Sequence, residues 1–406
     1  MAAEQAMARP PFKGRFAQQE PIPETAIVRA LEVMRSGRLH RYDVIIGEEP
    51  EAALLEREFA AWQGARYCLA VASGGQAMQI ALRAAGVKAG DKVLSNAFTL
   101  APVPGAISAV GGEPVLVDIT EDLVIDFDDL VAKARAWGAR YLLLSNMRGH
   151  LCDMDRLAEI ATGEGFAVIE DCAHTMGAKW NGRKSGNFGV AGCFSTQTYK
   201  HMNSGEGGLL TSDDPTFMAR ATILSGSYML YQMHGAGPAP EVFADIRLHT
   251  PNMSARMDNL RAAILRPQLA ALDDAIARWN QRYDRITGRF AGQSAIRLPK
   301  RPAEESYVGS SIQFLIPGIS TASAQVFLSA CAARGVQLNW FGAEEPVAFT
   351  SAHYSWRYVP PQSLPATDRV LSGLFDMRLP LTFSLEDCDL IADHILDAVA
   401  VVLRST

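Results

Sequence analysis

Long apolar runs are missing from this chain. No stretch approaches the ~20 consecutive apolar residues a membrane helix needs, so no membrane partner is expected. A basic excess is missing too. Lysine and arginine number 38 against 44 aspartates and glutamates, and a net charge of -6 offers nucleic acid no surface. The six cysteines, at positions 68, 152, 172, 193, 331 and 388, include no Cys-x-x-Cys pair and read as reduced, mostly buried thiols of a cytoplasmic protein. The eight histidines show no His-x-His or His-Glu-x-x-His spacing, so no metal site is expected. Gly-x-Gly-x-x-Gly, a Walker-type glycine-lysine loop and a Gly-x-Ser-x-Gly elbow are all absent, which argues against dinucleotide, P-loop and serine-hydrolase chemistry. The opening MAAEQAMARPPFKGRF lacks the apolar core of a secretory signal.

What is present is globular material: 406 residues, 48% hydrophobic and 20% charged, long enough for one large domain and a smaller one. Residues 1–23 are polar and proline-rich and read as a lead-in arm. The runs TAIVRALEVMRSG and EEPEAALLEREFAAWQG read as helices closed by Gly37 and Gly64. From residue 66, short apolar runs alternate with amphipathic ones: YCLAVAS, KVLSNAF, PVLVDI, YLLLSNM and FAVIEDC are each followed by a helical or turn segment. Uninterrupted apolar strands separated by helices predict an α/β fold with a mainly parallel sheet covered on both faces. GCFST and GGLLTS read as a closing hairpin-like pair. Residues 255–290 read as strongly helical, with Pro267 kinking or dividing the segment. These features assign 24–290 to the large domain. Residues 291–406 form a smaller α+β domain, with strands in SYVGSSIQFLIPG and VQLNWF, a helix in SAQVFLSACAARG, and a closing helix LEDCDLIADHILDAVAVVLRS.

Chemistry concentrates around Lys200, in CFSTQTYKHMNSGEGGLLTS, one α/β unit after the acidic strand end VIEDCAH. A lysine backed by the turn Gly205-Glu206-Gly207-Gly208 suits a Schiff base. Asp171 upstream suits the anionic partner that pyridoxal 5'-phosphate needs at its ring nitrogen, which works as an electron sink only while protonated. Alternation puts Glu170 and Asp171 on opposite faces, so only one of them meets the cofactor. Ser73-Gly74-Gly75-Gln76 follows a strand and opens a helix, which suits a phosphate as well as a plain tight turn. Phe98 ends the next strand, where an aromatic can stack on a planar ring or simply pack in the core. His174 can meet the ring or its phenolic oxygen, or be a satisfied structural histidine.

The ordered series EDCAH, FST, Lys200 and GEGG, with RSGRLHRY, RGHLCDMDRLAEIA, RMDNLRAAILRPQL and LPATDRVLSGLFDMRLPLTF around it, resembles the DegT/StrS-type sugar aminotransferases of fold type I over nearly the whole chain. The resemblance implies a seven-stranded-type sheet and pyridoxal 5'-phosphate. It implies a Schiff-base role for Lys200, a ring-nitrogen role for Asp171 and a place beside the phenolic oxygen for His174. Phe98 takes the stacking position, and Gly74, Gly75, Gln76 and Ser195 fall at phosphate contacts. Related sugar dehydratases carry His at the lysine position, so Lys200 favours transamination. The donor implied is an amino acid, Glu or Gln, and the acceptor a keto-sugar or keto-cyclitol. A homodimer with shared active sites is also implied.

Three segments depart from the family pattern. The usual Ser-Gly-Thr-Ala is Ser73-Gly74-Gly75-Gln76. The segment whose Asn reaches the neighbouring subunit's phosphate reads Pro251-Asn252-Met253-Ser254-Ala255-Arg256, leaving Ser254 or Asn252 for that contact. Residues 225–250 are longer than usual. Two alternatives stay open: an enzyme of the same fold recruited to dehydration, oxidation or elimination, and a cofactor-binding regulator.

Overall fold

The computed structural model describes residues 9–45, 47–347 and 352–405. Its centre is a seven-stranded sheet built from β1 (Tyr67–Val71), β2 (Lys92–Asn96), β3 (Glu113–Val117), β4 (Tyr141–Ser145), β5 (Ala167–Asp171), β8 (Ala191–Ser195) and β9 (Gly208–Ser212), in the order β1-β9-β8-β5-β4-β2-β3. The run β8-β5-β4-β2-β3 is parallel throughout. Only β9 runs against its neighbours, pairing with β8 and β1. The hairpin-like pair expected around Lys200 is therefore β8 and β9. β4, β8 and β9 are buried along their whole length, as strands covered on both faces must be.

Helices start and stop where side chains dictate. Ser73, Asp126, Asp153, Asp214 and Asp258 each accept an N–H of the first turn that follows them. Gly37 and Gly64 close the first two helices in the left-handed conformation, at φ 70 and 79. The helical stretch after residue 255 is divided, as expected, into Asn259–Ala270 and Leu272–Phe290. The break falls at Ala271, however, and Pro267 stays inside the first helix.

One apolar core lies against each face of the large sheet, and a further core forms beyond it. A short sheet of β6 (Lys179–Trp180), β7 (Arg183–Lys184) and β10 (Glu305–Ser306) bridges toward it. The further core packs around β11 (Ser311–Leu315), β12 (Asn339–Trp340) and β13 (Leu374–Arg378), which pair antiparallel with β13 in the middle. The sequence reading foresaw β11 and a longer version of β12, but not the central β13. That core also recruits Tyr283, Ile286 and Phe290 from the preceding helix, and Phe12 and Phe16 from the N-terminal arm. Phe383 meets both arm rings edge-on at 5.0 Å. The described part of the arm is thus anchored by aromatics rather than simply leading in.

Candidate active site

Parallel strands end on one edge of the sheet, and their exits build the site. β1 delivers Ser73 and Gly74, β4 delivers Arg148, β5 delivers Asp171, and β8 delivers Ser195 and the loop to Lys200. They surround a cavity of about 380 Å³, a size ordinary for a cofactor pocket. Arg378 reaches it from the end of β13.

Lys200 Nζ lies 2.8 Å from His174 Nε2. Burial and the neighbouring Arg148 lower the lysine pKa to about 7, with Asp171 pulling the other way. Burial, then Lys200 and the arginines, hold His174 well below its usual range, so it is neutral and can accept from the ammonium. Asp171 Oδ2 accepts from Ser145 Oγ at 3.2 Å and Oδ1 from the Ala173 N–H at 3.1 Å. Thr99 donates in turn to Ser145 Oγ at 2.7 Å. Burial raises the Asp171 pKa against these donors and Lys200. A cation seated beside it would draw the carboxyl back to its charged form.

At the other end, Ser73 accepts the Gln76 N–H through Oγ at 3.1 Å and the Ala77 N–H through its carbonyl at 3.0 Å. The N–H groups of Gly74 and Gly75 are left for an anion at the positive end of the helix. No side chain fits on that floor. A Cβ on Gly74 would stand 2.9 Å from Ser195 Cβ, and one on Gly208 2.4 Å from the Ser73 backbone. An anion cradle at one end, a lysine whose pKa is brought down to about 7, and a buried carboxylate fit a pyridoxal phosphate well.

The structure brings Lys200, Asp171, His174, Gly74, Gly75 and Ser195 to one cavity. It does not bring Phe98 or Gln76. Phe98 is 1% exposed and packs edge-on against Phe341 at 5.1 Å, on the side of the further core. The cause is the strand exit: Asn96 Nδ2 holds the Phe98 carbonyl at 2.9 Å and the Ser145 carbonyl at 3.0 Å, which turns the chain and sends the ring away. Leu100 supplies the cavity wall instead. The Gln76 N–H is already taken by Ser73. Asn252 and Ser254 are exposed and line no part of this chain's own cavity. Asn252 Oδ1 accepts the Tyr228 N–H at 2.8 Å. Sequence reasoning missed Ser145, Thr99, Leu100, Tyr199, Arg148 and Arg378. A cation just past the apolar run YLLLSNM was the available signal for Arg148, whereas Arg378 ends β13, which the sequence reading did not foresee.

The six cysteines are all buried and none is paired. Among the described residues no group of His, Cys, Asp or Glu gathers for a metal ion. No described helix is long and apolar enough to cross a membrane.

The model of the DegT/DnrJ/EryC1/StrS aminotransferase family matches residues 24–396. A pleiotropic regulatory protein of Geobacillus stearothermophilus is 31% identical over 70% of this chain and 76% of its own length. A dTDP-3-amino-3,4,6-trideoxy-alpha-D-glucose transaminase of Streptomyces venezuelae is 32% identical over 72% of both chains. The solved structure of 3-amino-5-hydroxybenzoic acid synthase superposes with a TM-score of 0.81 at 24% identity, covering 97% of this chain and all of its own, and so shares the fold. With the match running through every strand that builds the cavity, the chain belongs to the DegT/DnrJ/EryC1/StrS aminotransferase family and is a transaminase that works with pyridoxal 5'-phosphate.

Proposed function

We propose that this enzyme takes an amino group from an amino acid, glutamate or glutamine, and gives it to a keto-sugar or keto-cyclitol. The observation that carries the reading is the shared cavity of Lys200, with a pKa near 7, and the Asp171 carboxylate, with the Gly74–Gly75 anion turn at its far end. The transaminase of an amino sugar among its relatives supports a sugar acceptor.

Bound pyridoxal 5'-phosphate supplies an aldehyde that accepts the amine and a ring that absorbs the electrons left when the substrate loses its α-proton. Gly74, Gly75 and Ser195 would hold the phosphate, and Leu100 would cover one ring face. Asp171, kept in place by Ser145 and the Ala173 N–H, would hold the ring nitrogen protonated. Lys200 is half uncharged near pH 7, so its amine would be able to take the substrate's α-proton and return it across the site. Neutral His174 steadies Nζ at 2.8 Å without adding charge.

The working unit we propose is a cytoplasmic homodimer with shared sites. Exposed Ile27, Val28, Leu31 and Met34 form an apolar stripe on the first helix, and Tyr228, Met229, Leu230 and Met233 a second patch beside the 251–256 segment. Both leave surface for a second copy. Asn252 or Ser254 would then reach the partner's phosphate.

The test is a separated half-reaction. Enzyme loaded with the cofactor is mixed with glutamine or glutamate, and loss of the visible band with release of the keto acid is followed. The amine form is then offered 2-oxo sugars, nucleotide-linked keto-sugars and inososes. Failure of every amino acid to discharge the band would end the transaminase reading. Discharge with no keto-sugar or keto-cyclitol able to restore it would end the acceptor assignment.

A further inference from the structure

Two cations besides Lys200 line the cavity, one from each side of the cleft. Arg148 follows β4, and Arg378 ends β13 in the further core. Arg148 occupies the left-handed region at φ 57, ψ 18, which a residue with a side chain seldom adopts and which is typical of functional sites. Its side chain is 4% exposed. Nη2 stands 2.9 Å from Asp376 Oδ2, close enough for an ion pair but off the hydrogen-bonding direction. Its Nε is buried with no hydrogen-bond partner among the described residues. Asp376 is also shared, since its carboxylate accepts from Gln313 at 2.8 Å and Asn339 at 3.4 Å. Arg378 lies over the Tyr199 ring at 3.9 Å.

The charges that line the cavity are Lys200, Arg148 and Arg378 against Asp171 and Glu206. The three cations disturb one another: Arg148 pulls down the pKa of both Lys200 and Arg378, after burial. A buried guanidinium with unused donors is costly, and an anion docked between the two forks would relieve it. That anion is not the one meant for Gly74 and Gly75. The cradle at Gly74 lies against Ser195 at the end of β8, whereas the Arg148 guanidinium is held at Asp376 of β13, on the side of the further core. The fork of a guanidinium matches the two oxygens of a carboxylate.

We infer that Arg148 and Arg378 form a subsite for a carboxylate carried by the substrate whose reacting carbon stands at Lys200. The inference rests on the transaminase reading above. The carboxylate can belong to the amino-acid donor or to an acidic keto acceptor, and the two half-reactions tell them apart.

The probe is glutarate, which has two carboxylates and no amine to transfer, with 1,5-pentanediol as the neutral control. Binding to the cofactor-loaded full-length enzyme is read by calorimetry and by the shift of the visible band. Glutarate is expected to bind and the diol is not. Arg148→Leu and Arg378→Leu should each weaken glutarate by about ten- to a hundredfold. Arg148→Lys should fall between, because charge remains while the fork is lost. Arg148→Leu strips a partner from buried Asp376, so Arg148→Leu with Asp376→Asn is measured beside it. A raised half-saturation for glutamate in the leucine variants assigns the carboxylate to the donor. An unchanged glutamate reaction, with a raised KM for a keto-uronate but not for the neutral keto-hexose, assigns it to the acceptor. Wild-type enzyme blind to glutarate, or leucine variants that bind it and run both half-reactions as wild type does, overturn the subsite. If such a wild-type enzyme still takes the amino group from glutamate, the transaminase reading stands alone. If it takes none from any amino acid, that reading is what has failed.

Discussion

Glu170 and Asp171 are consecutive on one strand, and their carboxylates serve opposite faces of the sheet. Glu170 turns inward and accepts three backbone N–H groups, from Gly186 at 2.8 Å, Phe188 at 2.7 Å and Gly189 at 3.0 Å. Asp171 turns to the cavity and accepts from Ser145 and Ala173. The period of two in a strand divides two identical charges into a structural anchor and a chemical group.

Glu170→Gln should therefore cost stability. One amide oxygen cannot replace two carboxylate oxygens that serve three donors, and the new NH₂ faces N–H groups. A loss of about 2–4 kcal/mol is expected, read as a lower urea midpoint for the cofactor-free protein. An unchanged midpoint would contradict the anchor role.

Asp171→Asn should keep the fold and the cofactor, which the Gly74–Gly75 turn holds independently. The half-reaction with glutamate should slow by at least about two orders of magnitude, since the ring proton loses its anion. Ser145→Ala should slow it less, because the Ala173 N–H still positions the carboxylate. Rapid-mixing spectroscopy separates the three proteins, and near-normal rates in Asp171→Asn would remove it from the mechanism.

Lys200 carries a stability signature as well as a catalytic one. Its folded pKa of about 7 is below the ordinary 10.5, so between those values the unfolded chain binds more protons. Stability of the cofactor-free protein should rise with pH through that window and be lowest below it. Lys200→Met should thus raise Tm at pH 7, by the equivalent of about 1–3 kcal/mol given water in the cavity, and the gain should fade toward pH 10.5. The same variant should give no borohydride-fixed cofactor. A modified peptide from another lysine would displace Lys200 from its role.

Leu100→Phe should tighten cofactor binding by about two- to tenfold, as a ring added to the cavity wall can stack on the cofactor. Phe98→Leu should leave that affinity unchanged and destabilise the core around Phe341. Titration of the cofactor-free enzyme by absorbance checks both. The reverse pattern would put Phe98 back on the cofactor.

Subunits carrying Lys200→Ala, mixed with subunits carrying Asn252→Ala and Ser254→Ala, test the shared site. If the contact crosses the dimer, mixed dimers hold one intact site and regain activity that neither parent has. No recovery, with exchange verified by mass spectrometry, would leave each subunit with its own complete site.

The sequence by itself determined the sheet, the hairpin that carries Lys200 and the pairing of Lys200 with Asp171. These are local matters: buried parallel strands must be apolar throughout, and short connections keep strand ends together on one edge. Tertiary structure alone decided that Phe98 leaves the cavity and Leu100 enters it, because the side chain's direction past a strand end depends on the Asn96 turn and on the Phe341 ring waiting in another core. It alone brought Arg148 to Asp376 and Arg378, and Phe12 and Phe16 to Phe383. Those partners lie hundreds of residues apart, and no periodicity in a chain records which of its faces will meet.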